Sequence, residues 1–181
     1  IQETVDLSRP TLYRLLNALS RKGLVRATGE PQRFALDHRV MELAGGWRGG
    51  NDIAAAAEPY LRALWQATDE TVALIVPVDG RTKLCVQELR SRQALVFVRG
   101  VGFTEPMTVG SSGKAILAFL PPADVAAALA ALPAGAAREA VRRDLARIRR
   151  QGYAISSGEV IAGALAMAAP VFDGLGRVCA S

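Results

Sequence analysis

Ser8-Arg9-Pro10-Thr11-Leu12-Tyr13-Arg14-Leu15-Leu16-Asn17-Ala18-Leu19 reads as one amphipathic helix. Leu12, Leu15, Leu16 and Leu19 recur at helical spacing and predict a single buried stripe. Ser8 stands where an N-cap oxygen belongs, and Pro10 fits a first turn, in which its missing N–H costs nothing. At 100° per residue, Arg14, Asn17 and Arg21 fall opposite the leucines, with Thr11 and Tyr13 on the flanks. Such a basic, hydrogen-bonding face suits phosphates and base edges in a major groove. A short helix from Ile1 to Val5 and the Asp6-Leu7 turn precede it, so the segment reads as a helix-turn-helix.

Working outward, Lys22-Gly23 ends the helix with a cation and a residue suited to the left-handed backbone. Leu24-Val25-Arg26 and Arg33-Phe34-Ala35-Leu36 predict a hairpin around Gly29-Glu30-Pro31-Gln32. Helix-turn-helix plus hairpin makes a winged helix, with Arg33 on the wing. Arg9, Thr11, Tyr13, Arg14, Asn17 and Arg33 are the candidate DNA contacts. A short helix over Val40–Ala44 follows, then Gly45-Gly46-Trp47-Arg48-Gly49-Gly50, whose four glycines in six residues mark a hinge.

Residues 1–50 carry eight Lys/Arg against five Asp/Glu, whereas the other 131 carry fourteen against twelve, so positive charge is concentrated at the N-terminal end. Half of the 181 residues are apolar, enough for a substantial core in one or two domains. Two separated cysteines, Cys85 and Cys179, make neither a metal cluster nor a disulfide framework and read as reduced thiols. With no charged-then-apolar leader and no run of about 18 apolar residues, the expectation is a cytoplasmic protein without a membrane partner. The chain opens inside a helix and closes on a strand, which predicts natural ends beyond both.

The remainder alternates strand and helix patterns. A helix of about 16 residues starts at Asn51, with Pro59 kinking or restarting it. Thr71–Val78 and Lys83–Leu89 flank a turn at Asp79–Thr82, and Ala94–Arg99 reads as a third strand. Helices are expected over Gly113–Leu120, from Ala123, and over Arg138–Gln151; strands over Tyr153–Ser156, Leu165–Phe172 and Arg177–Ala180. The arginines of 138–151 accompany a Val141, Leu145, Ile148 stripe and read as a solvated face. The fold class is α+β with an antiparallel sheet.

Chemistry is sparse. Ser111 and Lys114 fit Ser-x-x-Lys, but no Ser-Asp-Asn or Lys-Thr-Gly follows. Gly113-Lys114 resembles a phosphate loop, yet Thr108 replaces the required Gly and Ala115 the magnesium-binding hydroxyl. What survives is a helix N-terminus with two hydroxyls, a seat for a small anion. His38 is the one histidine, and Glu88, Glu105 and Glu159 are scattered, so no catalytic residues, metal site or cofactor are assigned. A hydrolytic or small-molecule-binding enzyme using Ser111 and Lys114 is the alternative to a regulator.

Three segments carry a resemblance to the IclR family of bacterial transcriptional regulators: Ser8–Leu19; Gly110-Ser111-Ser112-Gly113-Lys114-Ala115-Ile116-Leu117-Ala118; and Gly152–Asp173, which follows the family's long C-terminal motif. The resemblance implies a winged helix-turn-helix over 1–37, a linker helix and hinge over 38–52, and a GAF-like effector domain over 53–181. It further implies a homodimer or dimer of dimers, a double-stranded DNA operator, and a small carboxylate or aromatic acid as effector. Carried onto this chain, the effector pocket is expected at Ser111, Ser112, Ser156 and Ala166, with Phe97 and Met107 as apolar lining. Ser156 replaces a common Asp and Ala166 a common Cys, which predicts a less acidic, roomier pocket.

Overall fold

The structure, a computed structural model, describes residues 5–40, 42–43 and 52–181. The helix expected before Asp6, most of the Val40–Ala44 helix and the Gly45–Gly50 hinge lie outside the described residues. The chain divides into two compact units, Ile1–Ala55 and Ala56–Ser181.

In the first unit, α1 (Arg9–Arg21) is followed by β1 (Val25–Thr28) and β2 (Arg33–Leu36), an antiparallel hairpin with Val25 opposite Leu36 and Thr28 opposite Arg33. Gly23, at φ +69°, closes α1: its N–H donates to the Ser20 carbonyl and that of Leu24 to the Leu19 carbonyl, satisfying two orphan acceptors. The stripe is narrower than periodicity predicts. Leu12 and Leu16 are 8% and 7% exposed, but Leu15 and Leu19 are 46% and 40% exposed. Residues four apart differ by only about 40° around a helix, so Leu12–Leu16 and Leu15–Leu19 are separate rows, and only the first is covered. Ser8 occupies the N-cap, yet its hydroxyl bonds the Thr11 hydroxyl at 2.9 Å and caps no backbone N–H.

Most of α2 (Asp52–Thr68), a helix with Pro59 inside it, belongs to the second unit. β3 (Val72–Pro77) pairs antiparallel with β4 (Thr82–Leu89), and β4 with β5 (Thr104–Pro106). The strand expected over Ala94–Arg99 does not form. Its apolar alternation is real, but Gly100 and Gly102 at φ +85° and +93° turn the chain, and the Glu88 carboxylate takes the N–H groups of Arg99 and Gly100 in place of a ladder. Helices α3 (Gly110–Leu117), α4 (Pro122–Ala130) and α5 (Ala136–Gln151) come next. Strand β6 (Ala154–Ser157) pairs antiparallel with β7 (Leu165–Ala168), and β8 (Val171–Phe172) with β9 (Val178–Ala180). Pro170, without an N–H, splits the single strand expected over Leu165–Phe172. Ile75 and Ser181 exchange both backbone hydrogen bonds at 2.9 Å, tying the chain after β9 to β3.

The described chain is therefore α+β with antiparallel sheets throughout. Its core centres on α3: Ala115, Ile116 and Leu117 pack with Ile75, Cys85, Met107, Leu145 and Ile148. Gly113 is obligatory there, because a Cβ would come within 2.4 Å of the Met107 carbonyl oxygen. The α5 stripe holds, with Leu145 and Ile148 buried, while Arg142 and Arg147 pair with Glu139 and Asp144 on the outer face.

Candidate functional site

Helix α3 enters the core carrying polar groups that must be matched, and its surroundings match them. The Ser111 N–H donates to the Ser156 hydroxyl at 3.1 Å, and the Gly110 N–H to Glu159 Oε2 at 3.1 Å. The anion seat expected at this helix start is thus occupied by the chain's own oxygens. Lys114, one turn on, donates to Asp144 Oδ2 and Glu159 Oε1, both at 2.8 Å. Burial works against its charge, but these two hydrogen bonds hold its ammonium above the ordinary lysine range. A lysine so held cannot accept a proton from Ser111, which removes the basis of the Ser-x-x-Lys reading.

A second buried cation was not anticipated. Lys83, 3% exposed on β4, donates to the Val109 carbonyl at 2.7 Å and the Ser112 hydroxyl at 3.1 Å, and lies 3.2 Å from Glu105. Glu105 also pairs with Arg99. Burial, reinforced by the neighbouring Arg99 charge, pulls the Lys83 ammonium down to about 8, and the attraction of Glu159 does not offset this. Burial also lowers Arg99 from its ordinary value. The scattered Glu88, Glu105 and Glu159 are in fact each engaged: Glu88 by the Arg99 and Gly100 N–H groups, Glu105 by Lys83 and Arg99, Glu159 by Gly110 and Lys114. A signal for Lys83 was present, since it shares strand parity with the buried Cys85.

Beside this charged layer lies a cavity of about 730 Å³ within the second unit. Ser156 and Ala166 face each other as cross-strand partners of β6 and β7, and both line it, together with Phe97, Arg99 and Glu159. Ser111 adjoins through its N–H to Ser156. Ser112 is turned toward Lys83, and Met107 is fully buried in the core. Of the six residues expected around an effector, the cavity wall therefore gathers Phe97, Ser156 and Ala166. The remaining thiol and imidazole chemistry is quiet: burial pushes the Cys85 thiol up to about 11, and His38 is exposed beside Asp37.

In the first unit, Arg9, Arg14 and Asn17 are exposed on α1 and Arg33 is exposed on β2. Thr11 and Tyr13 are half-buried; the Tyr13 ring meets Phe34 edge-on at 6.0 Å, with the Arg9 guanidinium 6.0 Å from its centroid. Helix and hairpin thus pack through Tyr13, while the exposed Arg14, Asn17 and Arg33 side chains form no hydrogen bond or ion pair among the described residues.

The family profile described as bacterial transcriptional regulator IclR C-terminal matches residues 49–181. This chain belongs to the IclR family. The HTH-type transcriptional regulator XynR of Escherichia coli is 30% identical over all of this chain and 74% of its own length. Across curated members of the family the chain spans about two thirds to three quarters of the relative's length. An IclR regulator from Alicyclobacillus acidocaldarius superposes with a TM-score of 0.81 at 24% identity, covering 98% of this chain and 74% of that one. An IclR homolog from Microbacterium hydrocarbonoxydans, solved in complex with 4-hydroxybenzoate, gives 0.77 at 26% identity, covering 96% and 74%. Among the described residues no helix is long and apolar enough to cross a membrane, and no His/Cys/Asp/Glu group is arranged to hold a metal ion.

Proposed function

We propose that this protein is a one-component transcription factor of the bacterial cytoplasm whose operator binding is modulated by a small organic acid. The first unit acts as a winged helix-turn-helix: α1 enters the major groove and the β1–β2 hairpin is the wing. Arg14 and Asn17 read base edges, Arg9, Thr11 and Tyr13 flank them, and Arg33 meets a phosphate. The second unit acts as a GAF-like sensor, and the protein works as a homodimer or dimer of dimers, as the family resemblance implies.

The observation that carries the sensor half is the cavity of about 730 Å³, whose wall brings together Phe97, Ser156 and Ala166 from three separated stretches of chain. Its size and mixed apolar and polar lining suit a small acid. A relative of the same family bound to 4-hydroxybenzoate supports the same ligand class. By linkage, an effector that weakens operator binding must itself bind less tightly to the DNA-bound protein.

The test is selection of duplexes from a random pool with the purified protein, followed by anisotropy titrations of the enriched sequence. Arg14→Ala is expected to lose about 1–3 kcal/mol of affinity if its side chain contacts a base. Equal affinity of Arg14→Ala and wild type for the enriched duplex would overturn that role, and no enrichment at all would overturn the DNA-binding reading.

A further inference from the structure

We propose that Arg99 is the residue that reads ligand charge, anchoring a monocarboxylate with an apolar body in the cavity; the inference rests on the cavity being the ligand site. Among the residues that line the cavity, Arg99 is the one cation, and Glu70 and Glu159, the latter paired with Lys114, are the carboxylates. Its guanidinium spends one N–H on Glu105, through Nη1, and is 24% exposed. Among the described residues, Nε and Nη2 have no hydrogen-bonding partner, which leaves the edge of the fork that binds carboxylates two-pronged.

The neighbouring groups point the same way. At the start of α3 the Gly110 N–H already faces the Glu159 carboxylate and the Ser111 N–H the Ser156 hydroxyl, so neither is open to an incoming anion. Lys83 and Arg99 share the single Glu105 carboxylate, so this trio carries one positive charge in surplus. Lys83 is sealed below, spent on the Val109 carbonyl and the Ser112 hydroxyl, and the surplus reaches the cavity only at Arg99. Glu88, the other nearby carboxylate, is occupied by backbone N–H groups and by Arg90.

The rest of the wall includes Leu64, Leu95, Phe97, Ile161 and Met167, of which Leu95 and Met167 are 75% and 66% exposed. An apolar body lying on them removes that surface from water. Glu159 is already paired with Lys114, but Glu70 forms no ion pair among the described residues, so a second carboxylate near it meets a like charge and dianions are disfavoured.

The experiment is calorimetric titration of the whole chain with benzoate, its neutral isostere benzamide and the dianion phthalate, using wild type, Arg99→Met, Arg99→Lys and the cavity-filling Ala166→Trp. Benzoate is expected to bind wild type, to weaken about tenfold or more in Arg99→Met, as loss of a charged hydrogen bond implies, and to recover partly in Arg99→Lys. Benzamide should bind weakly and equally to wild type and Arg99→Met, which shows the cavity intact, and phthalate should bind more weakly than benzoate. Benzoate affinity unchanged in Arg99→Met but lost in Ala166→Trp would overturn the role of Arg99 alone. Binding that survives Ala166→Trp would overturn the cavity reading beneath it. Absence of benzoate binding to wild type at millimolar concentration, or tighter binding of phthalate, would overturn the monocarboxylate class.

Discussion

Glu159 and Lys114 meet at 2.8 Å, and the other oxygen of the same carboxylate accepts the Gly110 N–H at 3.1 Å. One side chain thereby ties the segment after β6 to two points of α3, a helix otherwise sunk in the apolar core. Glu159→Ala leaves the Gly110 N–H without its acceptor and the buried Lys114 with only Asp144, which also serves Arg147. The expected loss is about 1–3 kcal/mol of unfolding free energy, the cost of stranding a buried donor. Urea denaturation should show a lower midpoint at unchanged slope, with Glu159→Gln intermediate. Midpoints equal to wild type for both variants would show that the bridge contributes nothing.

Gly113 gives a sharper steric test. A Cβ there would lie 2.4 Å from the Met107 carbonyl oxygen and 2.9 Å from its carbonyl carbon, backbone atoms that cannot step aside. Gly113→Ala is expected to destabilise by about 1–3 kcal/mol or more through overpacking, despite alanine's better helix propensity. Gly174→Ala, where a Cβ meets nothing within 4 Å, is the control and should unfold with wild type. Thermal melts of the two side by side decide the matter; a Gly113→Ala melt at or above wild type would contradict the packing.

What could be read from sequence followed the range of the interaction responsible. The α1 helix, its Gly23 terminator and the β1–β2 hairpin rest on neighbours within a few residues, and their limits were legible to within a residue or two. Ala94–Arg99 was misread because apolar alternation reports burial, not ladder bonds, and the partner that claimed its N–H groups was the side chain of Glu88. The Ser156–Ala166 pair was reachable through a family motif and is joined across β6–β7. The charged layer was not: Lys83, Arg99 and Glu105, like Lys114, Asp144 and Glu159, meet only through β4, the segment between β4 and β5, β5 itself, α3, α5 and the segment after β6. Lys83's strand parity told of burial without telling which carboxylate would answer it.

The same distinction can be tested on α1. Leu12 and Leu15 look equivalent in the sequence pattern, but only Leu12 is buried. Leu12→Ala is expected to cost about 2–4 kcal/mol in the first unit and Leu15→Ala under about 1 kcal/mol, with differential hydrogen exchange of the α1 and hairpin amides as the readout. Equal losses would mean that the Leu15 row is also covered in solution.

Lys83 predicts a pH dependence whose sign can be derived. Its ammonium titrates at about 8 in the folded protein, below the ordinary 10.5. Between these values the unfolded chain holds a proton that the folded one has released, so folding gains stability as pH rises through that window. Below about pH 8 both forms are protonated and the full cost of burying the charge is present. Lys83→Met keeps the length of the stem and leaves Glu105 to Arg99, so no carboxylate is stranded. The lost bonds to the Val109 carbonyl and the Ser112 hydroxyl add a constant offset that does not vary with pH. Lys114, held above the ordinary value, and the Cys85 thiol, pushed up to about 11, are common to both proteins. Paired urea denaturations at several pH values from 7 to 10 should therefore show the wild-type-minus-variant difference flat near pH 7 and moving in favour of wild type toward pH 10. A constant difference, or one moving the other way, would mean that Lys83 is not a buried ammonium held at low affinity for its proton.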